Sequence, residues 1–279
     1  MRETLNHYLA AWNLVDPRPL AETATSHLFI VRTVDDEAAV LKLLTPLGVK
    51  DEHHGAAALR RFDGQGAVRL LQWDAGAHLL DYVEGDDLTV LVRQGGDAQA
   101  TRIIAGVLNH LHRVRPETSP DDLVPLRRWF RMLFWQAEAD QQRGVRSLYT
   151  QAAPLADRLL NDPREVCVLH GDIHHENIRH HARRGWLAFD PKGLYGERTF
   201  DAANALCNPV DMPELVENEA RLLRNADILA GEMGLDGDRL LAFVLVYACL
   251  SASWSLEDGQ NPAAALRIAA LAEPHARLS

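Results

Sequence analysis

The stretch VLHGDIHHENIRHH, Val168–His181, packs five histidines, Asp172, Glu176 and Asn177 into fourteen residues. Short apolar runs flank it, VCVL before and WLAF after, each bounded by turn residues, which marks a small sheet inside a mostly helical region. If NIR and WLAF pair as a hairpin around HHARRG, with its tip at Arg183-Arg184-Gly185, the two ends of the hairpin meet. Asn177 then begins the first strand and Asp190 ends the second, with Asp172 in the loop just before.

Two chemistries fit that arrangement. An amide oxygen and a carboxylate with room for phosphate and water suit Mg²⁺, which takes hard oxygen ligands and few of them from protein. Asp172 is then free to act as a base that orients a hydroxyl for attack on a phosphoryl group. The rival is zinc, since His170 and His174 stand at i, i+4 and imidazole is a good Zn²⁺ ligand. Gly171-Asp172 reads as a turn, however, and no HExxH is present. His180 and His181 read as solvated turn residues. Taken singly, Asp172 and Asn177 are ordinary loop-closing residues; the spacing of five and thirteen residues to Asn177 and Asp190 sets them apart.

A nucleotide donor leaves further traces. Lys42 lies inside the apolar strand AVLKLL, and a buried lysine needs a partner; Glu52, on the next helix, is the candidate. The loop Thr23-Ala24-Thr25-Ser26-His27 can cover phosphates with amide groups and the Ser26 hydroxyl. Neither GxxxxGK[ST] nor GxGxxG occurs, which disfavours P-loop and dinucleotide folds.

The texture changes near residue 85. Before it, His27–Val34 and Ala38–Thr45 flank Asp35-Asp36-Glu37, and Ala67–Trp73 and Ala77–Val83 flank Asp74-Ala75-Gly76. Two hairpins imply an antiparallel sheet, with one helix over Asp51–Phe62 leaning on it. After Gly85 the period is helical, as at Ile104, Val107, Leu108 and Leu111, and at Leu215, Leu222, Ala226 and Leu229. The run LLAFVLVYACL from Leu240 is too short to span a bilayer and reads as a buried helix. The expected class is α+β, with an N-terminal unit at 1–84 and a helical unit at 85–279.

The net charge of −10 over 279 residues disfavours a nucleic-acid partner and is compatible with a cationic ligand. The three cysteines, Cys167, Cys207 and Cys249, are widely spaced among apolar neighbours and form neither a disulfide framework nor a metal pair. The N-terminus carries Glu3 early and has no continuous apolar core, so no signal peptide is expected. A cytoplasmic protein, monomeric and without a membrane partner, is the resulting expectation.

The residues His170-Gly171-Asp172-Ile173-His174-His175-Glu176-Asn177 and Phe189-Asp190-Pro191 resemble the aminoglycoside phosphotransferase branch of the protein-kinase-like fold, which carries HGDxHxxN. The wording HGDIHHENI, GWLAFDPKGLYGE and GAVRLL is most similar to streptomycin 6-phosphotransferases and hydroxyurea phosphotransferases, over roughly Lys42–Pro209. The resemblance implies a bilobal fold in which ATP (or GTP) sits under the N-lobe sheet, with a hinge at Asp81-Tyr82-Val83. It implies Asp172 as the base, Asn177 and Asp190 as Mg²⁺ ligands, and Lys42 with Glu52 on the phosphates. His170 braces the loop, and Asp201 either anchors that loop or caps a helix. The acceptor is a small hydroxyl compound such as streptomycin, whose guanidinium groups call for carboxylates. Glu176, Glu197, Glu257 and Asp258 are the candidates, and Trp254 is a candidate stacking surface. Kinases of another metabolite or of hydroxyurea, and a nucleotide-binding module without catalysis, are the alternatives.

Overall fold

The computed structural model describes residues 1–277. The N-terminal part runs α1 (Arg2–Ala11), β1 (Val15–Glu22), β2 (Ser26–Arg32), β3 (Ala38–Leu44), α2 (Pro46–Asp51), α3 (His53–Phe62), β4 (Leu70–Trp73) and β5 (Ala77–Asp81). The rest runs α4 (Leu88–Arg93), α5 (Asp97–Leu111), β6 (Val124–Pro125), α6 (Leu126–Trp129), α7 (Arg131–Gln142), α8 (Leu148–Asn161) and β7 (Val166–Leu169). It continues through β8 (Ile178–His181), β9 (Gly185–Ala188), β10 (Leu194–Glu197), α9 (Thr199–Leu206), α10 (Pro213–Val216), α11 (Glu219–Met233), α12 (Gly237–Glu257) and α13 (Ala263–Ala272).

The first sheet has the order β1-β2-β3-β5-β4 and is antiparallel throughout. Both expected hairpins form, and Asp36 takes the left-handed conformation at the tip of the first. Alternation along the strands splits the sheet into two faces. Phe29, Val31, Leu41, Leu43 and Leu79 pack under Leu5, Tyr8 and Leu9 of α1 and Trp12 just after it. Lys42 and His78, paired across β3 and β5, point to the other side.

Three features go beyond the expectation. One face of the sheet is covered by α1, while α3 meets the sheet at β4, where Arg60 lies over the Trp73 ring, and also buries Ala57, Ala58, Leu59 and Phe62 in the core of the helical lobe. The helix expected over Asp51–Phe62 forms as α3, and a short helix not expected precedes it: α2, started at Pro46 and capped by the Thr45 side chain on Gly48 N. Strand β1 was not expected at all: it carries Pro17 and Pro19, lies at the sheet edge and is exposed along its length, so it lacks the apolar alternation that identifies strands.

The helical lobe centres on α12, buried on almost every side and packed on α7, α8, α9 and α13, as the run from Leu240 suggests. Ile104, Val107, Leu108 and Leu111 line the inner face of α5. Leu222, Ala226 and Leu229 do the same for α11, whereas Leu215 falls on the separate short helix α10, since Asn218 caps a new start by accepting from Arg221 N.

Candidate active site

The β8–β9 hairpin forms as expected, with Ile178 opposite Ala188. Phe189 N donates to Asn177 O at 3.0 Å, so Asn177 and the Phe189-Asp190 pair lie side by side at its open end. Asn177 Nδ2 donates to Asp172 O at 2.9 Å, leaving its amide oxygen for a cation. The residues before it are clamped from beneath. Asp201 accepts from His170 N at 2.9 Å and Gly171 N at 2.8 Å, and its Oδ2 lies 2.9 Å from His112 Nε2. Asp201 therefore anchors the loop, and it is not a cap, since it sits inside the first turn of α9.

His170 is buried with both ring nitrogens engaged. Nδ1 accepts from Asp172 N at 3.3 Å, which makes Nε2 the donor to Phe189 O at 3.0 Å. Burial pushes its pKa down, and the neutral ring matches that bonding. No nitrogen of His170 is left for zinc. Among the described residues no group of three His, Cys, Asp or Glu side chains is placed to hold a metal ion.

Lys42 joins the two lobes. Its Nζ lies 2.7 Å from Glu52 Oε2 and 2.6 Å from Asp190 Oδ1, and the residue is 6% exposed. Glu52 reaches it from the residue that precedes α3. Asp190 adopts a left-handed backbone, φ 60°, which turns its carboxylate back toward the lysine. Burial alone would raise the Asp190 pKa, but Lys42 and Lys192 outweigh it and hold the carboxyl at about 2. His78, beside Lys42, is kept neutral by burial first and the lysine charge second, with a pKa pushed down to about 4.

The segment after Asp190 packs against the start of α3 at two glycines. A Cβ on Gly55 would lie 2.2 Å from Pro191 O, and one on Gly193, φ +68°, would lie 1.9 Å from His54 O. Only glycine permits that approach, and the approach is what places Glu52 near Asp190. Lys192, between these contacts, extends its Nζ to 3.3 Å from Asp172 Oδ2 and 3.7 Å from Asp190 Oδ2. Its pKa is raised, because Asp172 and Asp190 outweigh the burial that lowers it. Lys192 is not among the residues that the sequence singles out.

Beyond Asp172 opens a cavity of about 470 Å³, lined by His174, Glu176, Glu217, Tyr247, Ser251 and Trp254 among others. Helix α12 presents Tyr247, Ser251 and Trp254 at helical spacing. Trp254 meets Trp129 edge-on at 5.3 Å while keeping part of its surface in the cavity, so it is both packed and available. His174 stands between two acids, 3.9 Å from Asp172 and 3.5 Å from Glu176.

Of the four acceptor candidates only Glu176 lines this cavity. Glu197 is buried elsewhere, bound to Arg239 at 2.6 and 2.7 Å, to Thr199 and to Arg164 N. Glu257 and Asp258 lie at the exposed end of α12, and beyond the turn at Gly259 it is Gln260 and Asn261 that form the rim. Glu217, between α10 and α11, is a further acid on the cavity wall, with both its oxygens accepting from Arg267 at 2.6 and 2.7 Å. It escaped notice because no local pattern ties it to the loop 45 residues earlier.

The nucleotide-side expectations also change in detail. The Asp81 side chain is occupied by Arg69 and Arg184, and Val83 is packed into the large core, so neither side chain is free for a nucleotide. Ser26 is buried with its hydroxyl 3.1 Å from Thr23, while Thr23 Oγ1 accepts from the amides of Thr25 and Ser26. The loop is thus stitched to itself and offers no free Ser26 hydroxyl.

A sheet-bearing lobe over a helical lobe, with a strand lysine meeting an aspartate across the cleft, defines a protein-kinase-like small-molecule kinase. The particular family follows from comparison. A family model described as aminoglycoside/hydroxyurea antibiotic resistance kinase matches residues 11–259, and the chain belongs to that family. It is 39% identical over 253 residues to the streptomycin 3''-kinase of Klebsiella pneumoniae, across 89% of this chain and 91% of that one. It is 30% identical over 276 residues to a streptomycin 6-kinase of Streptomyces griseus, across 94% and 86%. An aminoglycoside phosphotransferase solved with ADP and hygromycin B shares the fold, with a TM-score of 0.65 over 98% of this chain and 99% of that one at 13% identity.

Proposed function

We propose that this kinase transfers the γ-phosphoryl group of ATP to a hydroxyl of streptomycin, with Mg²⁺, and that the boundary between its lobes falls at 84/85. The observation that carries the reading is the juxtaposition of Asp172 with an acid-lined cavity on one side and the Lys42–Asp190 pair on the other. Asp172 orients the acceptor hydroxyl and takes its proton. Lys42, fixed by Glu52, holds the donor phosphates. Asp190 is ionised and Asn177 presents an amide oxygen, a hard-oxygen pair that fits Mg²⁺. Bound there, Mg²⁺ neutralises charge on the donor phosphates.

The cavity supports a cationic acceptor of drug size. Its volume is within the range of roughly 300–1,000 Å³ typical of such sites, far more than hydroxyurea fills. Glu176 supplies a carboxylate for a guanidinium group, and Trp254 a face for stacking. Higher identity to the 3''-kinase favours the 3'' position over the 6 position that the motif wording suggests. Product analysis by NMR after incubation with ATP tests this: phosphorus coupling at the 3'' carbon is expected. ADP release with hydroxyurea but not with streptomycin would overturn the acceptor.

A further inference from the structure

We propose that Lys192 is a further catalytic residue, whose ammonium grips the phosphoryl group while it passes from nucleotide to acceptor. The inference rests on the site reading above and assigns the charge that reading leaves out. On the donor side the cation Lys42 is already held between Glu52 and Asp190. On the acceptor side, among the described residues, no lysine or arginine lines the cavity. Between them stands one ammonium, Lys192 Nζ, 3.3 Å from Asp172 Oδ2 and 3.7 Å from Asp190 Oδ2. A group moving from the Asp190 side to a hydroxyl at Asp172 passes this atom.

The backbone holds Lys192 for that task. Lys192 N donates to His170 O at 2.7 Å, and its neighbours Pro191 and Gly193 are pressed against Gly55 and His54. The side chain is 39% exposed, so Lys192 is not a fully buried residue. In the transfer, the acceptor oxygen forms a bond to the γ-phosphorus and its proton passes to the Asp172 carboxylate. The bond from the γ-phosphorus to the bridging oxygen breaks, and its electron pair leaves with ADP. Lys192 gives and takes no proton; its N–H groups follow the equatorial oxygens, where negative charge is spread.

The test compares wild type with Lys192→Met and Lys192→Arg, all checked for folding by thermal melting. Calorimetry measures binding of MgADP with streptomycin, with and without aluminium fluoride, which mimics the phosphoryl group in flight. Wild type is expected to bind MgADP more tightly with aluminium fluoride. Lys192→Met should bind MgADP as wild type does, lose that tightening, and lose kcat by about 10²–10³-fold, the scale of one transition-state donor. Lys192→Arg should recover part of both. A Met variant that keeps the tightening, or that loses MgADP affinity in step with kcat, would show that Lys192 only balances the two acids and would overturn the proposal. No tightening in wild type itself would instead remove the site reading, and this inference with it.

Discussion

Glu197 is 2% exposed and accepts four hydrogen bonds, two of them from the guanidinium of Arg239, itself 4% exposed. Glu176, by contrast, stands half in water at the mouth of the cavity. Substituting them should separate stability from binding. Glu197→Ala leaves a buried arginine unpaired and should cost about 3–5 kcal/mol in denaturant titration, with acceptor KM unchanged in the folded protein. Glu176→Gln should leave stability alone and raise streptomycin KM by about 10-fold, the scale of one charge-assisted hydrogen bond. In the sequence these two acids look alike. What separates them is Arg239, 42 residues downstream, whose position depends on how α12 packs. Asp172, Asn177, Asp190 and Lys42 were legible because a loop, a hairpin and a strand give each a local frame.

Helix α3 and the segment Asp190–Gly193 act as a pair, fastened at Gly55 and Gly193. Gly193→Ala adds both a Cβ against His54 O and a left-handed residue, so the two elements must move apart. The variant should lose about 1–3 kcal/mol of stability, and below its melting temperature its ATP KM should rise because Glu52 is drawn away from Lys42. Gly95→Ala, also at positive φ but with open space around it, is the control: it should lose stability without a change in ATP KM. The sequence showed the strands and helices that alternate or repeat cleanly. It did not show β1, whose exposed edge position removes the alternation, nor the partner of α3, since an apolar helix face does not say which core it joins.

At the scale of the whole molecule, buried neutral histidines make stability depend on pH. His78 and His175 each have a folded pKa of about 4 against an ordinary value of 6.5. For both, burial is the leading cause. Between these values the unfolded chain binds more protons than the folded one, so stability is fully present above pH 6.5 and falls as pH drops toward 4. The slope contributed is at most about 1.4 kcal/mol per pH unit for each histidine. Unfolding free energies measured at pH 7, 6 and 5 should fall in that order, and His175→Phe should flatten the decline. An unchanged slope in that variant would mean that His175 titrates in the folded protein.

In the proposed mechanism Asp172 receives the acceptor proton, between an acidic cavity and a Lys42–Asp190 donor site. Its most direct test is the mass of streptomycin after incubation with ATP and Mg²⁺, using wild type and Asp172→Asn, whose MgATP binding is checked in parallel. Wild type should add one phosphoryl group. Asp172→Asn should bind MgATP normally and react about 10²–10⁴-fold more slowly. Phosphorylation at the wild-type rate by Asp172→Asn would contradict the mechanism.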